Sequence, residues 1–404
     1  MRIEREPDRE EPIMSDTVLE KPATLAPAPG DARRIEAFIP TPCVQNHASF
    51  IAPLPGGDLG CVWFGGTQEG IPDISVHFSR LAPGATAWTP AERLSDDPTR
   101  SEQNPLLFTA PDGALWLLWT AQRGGNQDTA LIRHRISRDG GRSWGPIETL
   151  IEEKPGFGTF IRSEIVVNRL GEWLLPIWRC TKPPVGAWTG DLDTSSVLIS
   201  ADQGRSWREV AVPDSTGAVH MSIVRQGDRL VALYRSRWAD FVHRSVSSDE
   251  GHSWSAPEPT ELPNNNSSVM AIALASGAIA LCYNHSSQAD ATGRRASLYD
   301  DIGGEEEAAP PPATGRSAFW GAPRAPMTIA LSEDGGITWP HRRNLEVGDG
   351  FCMTNNSKDQ LNREFSYPSL CQTADGAIHI AYTYWRQAIK YVRVDEAWIR
   401  STPA

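Results

Sequence analysis

Residues 112–144, DGALWLLWTAQRGGNQDTALIRHRISRDGGRSW, hold two elements that return along the whole chain. The first is a Gly turn followed by apolar residues that close on an aromatic. It recurs at 57–63, 171–178, 227–234, 277–283 and 375–382. The second is Ser-x-Asp-x-Gly-x-x-Trp, complete at 137–144, 200–207, 247–254 and 332–339, with a degenerate copy from Ser79 to Trp88. In this motif Asp can accept backbone N–H bonds in a tight turn, Gly supplies a geometry other residues resist, and Trp packs back between sheets. Short β-rich runs repeated at about fifty residues indicate radially arranged sheets. Six copies predict an all-β, six-bladed propeller.

Composition agrees with one closed domain and excludes other classes. The chain has 404 residues with 50 acidic against 38 basic side chains, a net charge of -12 that works against a phosphate-backbone partner. No run approaches the roughly 18 apolar residues of a spanning helix, so neither nucleic acid nor a membrane is expected as a partner. The N-terminus lacks the basic start and apolar core of an export signal, which points to a cytoplasmic protein. Six Cys without a CxxC spacing read as buried free thiols, and no metal or cofactor is expected. A metal between His47 and His77 is the alternative left open. Residues 1–35 read as a flexible polar tail, 36–404 as the propeller, and about 286–325 as an insertion, solvated in preference to a lid.

Aligning the first strand of each repeat yields a candidate site. The segments begin at His47, Asn104, Arg162, His220, Asn266 and Tyr367. In a propeller the innermost strands surround the axis, so one repeat position forms a polar ring on one face. Starts of third strands add Asp73, Asp128, Asp193 and Asp240 to that face, and ends of second strands add Arg123, Arg179, Arg235, Arg237, His285 and Arg386. Arg suits a carboxylate, while His and Tyr can move protons or attack carbon. The predicted partner is an anionic oligosaccharide or polysaccharide. Catalytic candidates are His47, His220, Tyr367 and Arg162; substrate-binding candidates are Asn104, Asn266, Arg235, Arg237, Asp73 and Arg363.

The Asp boxes, with HAS at 47–49, FGGTQEGIPD at 64–73, ELPNNNS at 261–267 and EFSYPS at 364–369, resemble the Asp-box (BNR repeat) sialidase superfamily over about residues 36–395. That resemblance implies a six-bladed β-propeller and, for a true sialidase, three Arg on the substrate carboxylate, a Tyr nucleophile activated by Glu, and an Asp acid/base. Tyr367 stands where the Tyr is expected. However, FIP at 38–40 replaces the early Arg-Ile-Pro, the fifth-blade ring position is Asn266, and His220 stands at the fourth-blade position where the Glu partner would be sought. DDPTRSEQNP at 96–105, GTFIR at 158–162, PDSTGAVHM at 213–221 and YRSRWAD at 234–240 look like a subgroup of lyases and rhamnosidases acting on L-rhamnose-α-1,4-D-glucuronate caps. The resulting expectation is cleavage at a carboxylate-bearing glycan by elimination or hydrolysis. The alternatives are exo-α-sialidase and a glycan-binding propeller without catalysis, the latter drawing on Trp63, Trp178, Trp238 and Trp385 as stacking surfaces.

Overall fold

Six antiparallel sheets follow one another along the chain in the computed structural model, which describes residues 21–299, 302 and 315–401. The first blade is Gln45–Pro53, Leu59–Gly66, Ser75–Leu81 and Glu92–Arg93; the second is Ser101–Thr109, Leu115–Arg123, Asn126–Ser137 and Glu148–Ile151. In the third, the inner strand is broken into Phe157–Phe160 and Val166–Val167, followed by Trp173–Thr181, Thr194–Ser200 and Arg208–Ala211. The fourth is Ala218–Gln226, Arg229–Ser236, Phe241–Ser247 and Glu258–Pro263, and the fifth Met270–Ala273, Ile279–Asn284, Met327–Ser332 and His341–Glu346. The sixth blade holds Phe365–Gln372, Ile378–Tyr384 and Ala388–Val394. Its outer strand comes from the N-terminus as Asp31–Ile39, with Ala26–Ala28 beyond it.

That closing strand corrects the expected boundary at residue 36. Asp31–Ile39 pairs with the last strand in a register running from Ile35 opposite Arg393 to Ile39 opposite Ile389. Its polar composition has a structural use. Asp31 Oδ2 accepts from Trp398 Nε1 at 2.6 Å and from Arg343 Nη2 at 2.9 Å, and Arg34 pairs with Glu346 at 2.8 Å. An outer strand half-open to solvent has no need of the apolar alternation that marks an inner one. The remainder of the expected tail, residues 1–20, lies outside the described residues.

The Asp boxes do mechanical work on the opposite face from the ring. In the second blade Ser137 Oγ donates to Asp139 Oδ1 at 2.8 Å and accepts from Gly141 N at 2.7 Å. Asp139 in turn accepts from Ser143 N at 2.8 Å and Ser143 Oγ at 2.5 Å. The same bonds recur around Asp202, Asp249 and Asp334. These turns present Trp254 and Trp339 to separate hydrophobic clusters between blades. All six Cys are free thiols, four of them buried.

Because the sixth blade depends on Asp31–Ile39, truncation through Ile39 should lower the thermal midpoint and expose the edge of Ala388–Val394 to hydrogen exchange. Unchanged exchange at that strand would refute closure by the N-terminal segment.

Candidate functional site

The ring is built by a repeated irregularity. Registers between first and second strands slip by one residue after His47, Gln103, Val219 and Ser366. Ala48, Asn104, His220 and Tyr367 follow those points with φ of 56°, 50°, 52° and 51°, and Asn266 in the fifth blade has φ 56°. A non-glycine residue in the left-handed region costs on the order of 1 kcal/mol or more, and a bulge re-aims its side chain out of the ladder. The first-blade member of this set is therefore Ala48, one residue beyond the expected His47. HAS at 47–49 matches HMS at 220–222 in residue type but stands one residue earlier relative to the bulge. Ser222 and Ser369 bond across to the next blade, accepting from Ala271 N at 3.0 Å and Ile51 N at 3.1 Å. Ser49 Oγ has no partner among the described residues.

His47 nevertheless joins the ring from the adjacent position, opposite Phe64. Its imidazole lies 4.3 Å from the Tyr367 ring, centre to centre, and His220 lies 5.6 Å from the same ring on another side. Arg235 links the group: Nη1 donates to Tyr367 OH at 2.8 Å and to His220 Nε2 at 3.2 Å, and Nε donates to Asn266 Oδ1 at 2.8 Å. Since a guanidinium only donates, His220 Nε2 must be the acceptor, and Nδ1–H then faces Ser268 Oγ at 3.1 Å. Trp178 of the third blade stacks on His220 at 4.1 Å, which assigns this Trp to packing. His47 Nδ1 meets Thr383 Oγ1 at 2.8 Å and lies 3.9 Å from Glu364 Oε1, while Nε2 has no partner among the described residues. Asn104 Oδ1 is likewise buried without one. Burial first, and then surrounding Arg residues, hold both His47 and His220 well below the ordinary imidazole value, so both are neutral.

The second-strand Arg residues divide by charge balance. Arg123 pairs with Glu153 at 3.3 Å, Arg179 with Glu209 at 2.6 Å, Arg237 with Asp193 at 2.7 Å, and Arg386 with Glu69 at 2.5 Å and Glu364 at 3.2 Å. Arg235 alone of this set has no carboxylate partner among the described residues, and its Nη2 is buried and unbonded. Burial, aided by Arg237 and Arg324, pulls it down to about 9, still charged at neutral pH. Arg162 also lacks a carboxylate. Its Nη2 donates to the carbonyls of Ser49, Tyr367 and Pro368 at 2.9, 2.9 and 3.1 Å, so this part of the expected carboxylate clamp is spent on backbone, leaving Nε and Nη1 unbonded.

The insertion roofs the ring, contrary to the solvated loop expected. Tyr299 OH accepts from Gln122 Nε2 at 3.1 Å and Gln127 Nε2 at 3.0 Å. Phe319 O accepts from Asn266 Nδ2 at 2.9 Å, and Trp320 covers Arg235 and Arg237 at 5.7 and 5.2 Å. Trp188 holds the other side of Arg237 at 5.3 Å. The acidic, Pro-rich stretch 303–313 lies outside the described residues; the aromatic flanks make these contacts. Under this cover Tyr367 is 6% exposed and His220 2%.

Two expected contacts lie apart from the ring. Asp73 accepts from Thr67 N and Oγ1 and anchors an exposed loop. Arg363 pairs with Asp349 at 2.6 Å over the Phe351 ring. His77 Nε2 meets Cys43 Sγ at 3.5 Å and its ring stacks on Trp63, away from any pairing with His47. No group of three or more His, Cys, Asp or Glu among the described residues is arranged to hold a metal. Conversely, Arg324 and Glu364 were not anticipated. Arg324 stands 5.7 Å from the Tyr367 ring and donates to Glu364 Oε1 at 3.2 Å. Glu364 opens the EFSYPS segment, but it belongs to no repeated position, and Arg324 ends the insertion.

A family model for the BNR repeat-like domain matches residues 57–380. The chain belongs to this BNR repeat-like family. A search of curated proteins found no match by sequence. Among solved structures, this BNR repeat-like chain superposes on a Hadza microbial sialidase with a TM-score of 0.64 at 15% identity, over 88% of this chain and 67% of that one. It superposes on the intramolecular trans-sialidase of Ruminococcus gnavus with a TM-score of 0.63 at 13% identity, over 89% and 96%. A Dyadobacter fermentans protein of unknown function gives 0.63 at 15%, over 89% and 97%. At such identities the likeness establishes the six-bladed fold.

Two outcomes follow from the charge states of buried groups, one in the ring and one outside it. Arg235→Met should raise the thermal midpoint, because it removes a buried charge without a counter-ion, and should weaken or abolish anionic-ligand binding in calorimetry; a lowered midpoint would mean that Arg235 is a net stabiliser. His77 and His379, outside the ring, are held down to about 4 by burial. As pH falls below about 6.5 the unfolded chain binds protons that these folded imidazoles refuse, so stability is full above 6.5 and declines toward 4, by about 1.4 kcal/mol per pH unit for each such group. In denaturant titrations His379→Gln should flatten that decline; an unchanged slope would contradict the assignment.

Proposed function

We propose that this protein cleaves a terminal sugar from a carboxylate-bearing glycan by β-elimination, with an L-rhamnose-α-1,4-D-glucuronate cap as the best-fitting substrate. The observation carrying this reading is the unneutralised Arg235, whose one Nη1 touches both Tyr367 OH and His220 Nε2. A uronate carboxylate supplies the missing counter-charge. Its neutralisation acidifies the C5 proton, since the carbanion formed on losing that proton spreads into the carboxyl group. His47 is the base: its Nε2 is unbonded, and Thr383 and Glu364 face its Nδ1. Nε2 takes the C5 proton, the C–H electron pair forms the C4–C5 double bond, the C4–O bond breaks, and the Tyr367 phenol gives its proton to the leaving oxygen. The imidazolium and phenolate then exchange protons with solvent to restore the starting state. His220 acts by holding Arg235, and Asn266 by accepting from its Nε.

Sialidase chemistry fits the same pocket less well. A Tyr nucleophile needs a carboxylate to take its proton, and the hydrogen-bond partner of the Tyr367 hydroxyl is a guanidinium at 2.8 Å. The named sialidase and trans-sialidase neighbours share the propeller at identities too low to carry residue roles.

Incubation with a rhamnose-capped glucuronate glycan should release rhamnose together with the ultraviolet absorbance of a conjugated uronate double bond. His47→Ala and Tyr367→Phe should each lower kcat by about 10²–10⁴-fold. His220→Ala should act mainly on KM through Arg235. Rhamnose release without absorbance would replace elimination by hydrolysis. Cleavage of a sialoside, or binding without any turnover, would overturn the proposal.

A further inference from the structure

A second cleft, of about 570 Å³, lies between the second and third blades. It is bordered by the 111–114 turn between the first two strands of the second blade and by the Asp-box turn Gln203–Arg205 of the third. Both turns are at the end of the blades opposite the ring. The volume falls within the roughly 300–1,000 Å³ of small-ligand sites.

The floor is aromatic. Trp116 stacks on His134 at 5.0 Å and meets Trp173 edge-on at 5.5 Å. Gly204, at φ +84°, lets the Asp-box turn sit against both indoles, since a Cβ there would stand 3.2 Å from Trp116 and 3.1 Å from Trp173. Of the four Asp-box tryptophans, Trp144 and Trp207 are only partly buried, and of these two Trp207 lines this cleft. Trp254 and Trp339 are 6% and 1% exposed, whereas Trp207 stays partly open at the cleft wall, as does Trp116. Nδ1 of the lining residue His134 is buried and has no partner among the described residues. The rim alternates acceptors and donors: Asp112 and Glu148 against Arg138 and Arg205. Two negative and two positive charges exert no net pull on an anion, unlike the ring.

We infer that this cleft is a separate binding site for neutral oligosaccharide. Flat sugar faces rich in C–H pack on partly exposed indoles, and hydroxyls find both carboxylate acceptors and guanidinium donors around them. The inference rests on the reading that the protein works on glycan chains. A neutral stretch of the same polymer held here raises the effective concentration of its charged ends at the ring of the same or a neighbouring molecule.

The test is calorimetric titration of the full chain with short neutral galactan oligosaccharides, alongside an oligoglucuronate. Saturable binding of the neutral probe is expected. Trp116→Ala should weaken it at least about tenfold, or about 1.4 kcal/mol, and so should the double variant Glu148→Ala with Arg205→Ala, whose side chains are exposed and leave the core intact. Both variants should turn over a short capped substrate normally. Absence of neutral-sugar binding, or binding that survives both variants, overturns the inference. Oligoglucuronate binding that these variants abolish overturns its ligand class. Since binding is read without turnover, a protein that binds galactan but cleaves nothing keeps the cleft and loses the catalytic reading.

Discussion

At the axis of a closed ring of sheets, backbone carbonyls turned inward have no neighbouring strand to pair with, and the ring holds only if something else reaches them. Here that reach comes from the third blade, whose inner strand breaks between Phe160 and Val166 and frees Arg162 to cross the centre. Its Nη2 collects the carbonyls of Ser49, Tyr367 and Pro368. A buried acceptor left without a donor costs roughly 1–3 kcal/mol, so this one group offsets several such penalties. The carbonyls belong to the first and sixth blades, the pair at which chain ends meet. Closure is therefore secured at two radii: by Asp31–Ile39 at the rim and by Arg162 at the centre. Tyr367 is positioned as a by-product, because the residue carrying the phenol is one of those whose carbonyl is held.

How legible this was in the sequence depended on whether a residue obeyed the repeat. The Gly turns, aromatic strand ends and Asp boxes repeat because each blade solves the same packing problem, and they were enough for the six-bladed fold. Asn104, His220, Asn266 and Tyr367 were found because a left-handed residue recurs at one repeat position, at a bulge in all but Asn266, and aims each of them. The alignment failed by one residue at His47, where His-x-Ser occurs by coincidence, and the coincidence shows only in which Ser bonds to the next blade. Arg324, Glu364 and Trp320 were invisible for a different reason: they lie in or next to segments that break the repeat, and their relevance comes from contacts between residues far apart in sequence. The closing strand was hidden by its own polarity, since an outer strand that uses Asp31 and Arg34 in ion pairs looks compositionally like a tail.

Arg235 and Arg237 show how the fold neutralises one guanidinium and leaves its near neighbour charged. Two residues apart, they share one side of the chain, as the period of an extended segment dictates. Both reach the same face, and both lie against Trp320. The difference is Asp193, at the start of a neighbouring strand, which accepts from Arg237 at 2.7 and 2.9 Å and leaves nothing for Arg235. Arg237, with Trp188 on its other side, becomes a neutralised pillar under the roof. Arg235 keeps its charge in a site where water is scarce, surrounded by neutral imidazoles, an amide and a phenol. A stable fold left to itself would pair or remove that charge, and on the proposed reading an incoming carboxylate supplies the missing counter-charge. The ring is thus marked less by the residues that gather there than by two guanidinium groups, Arg162 and Arg235, that no carboxylate among the described residues neutralises, of which Arg162 is spent on backbone carbonyls and Arg235 is not.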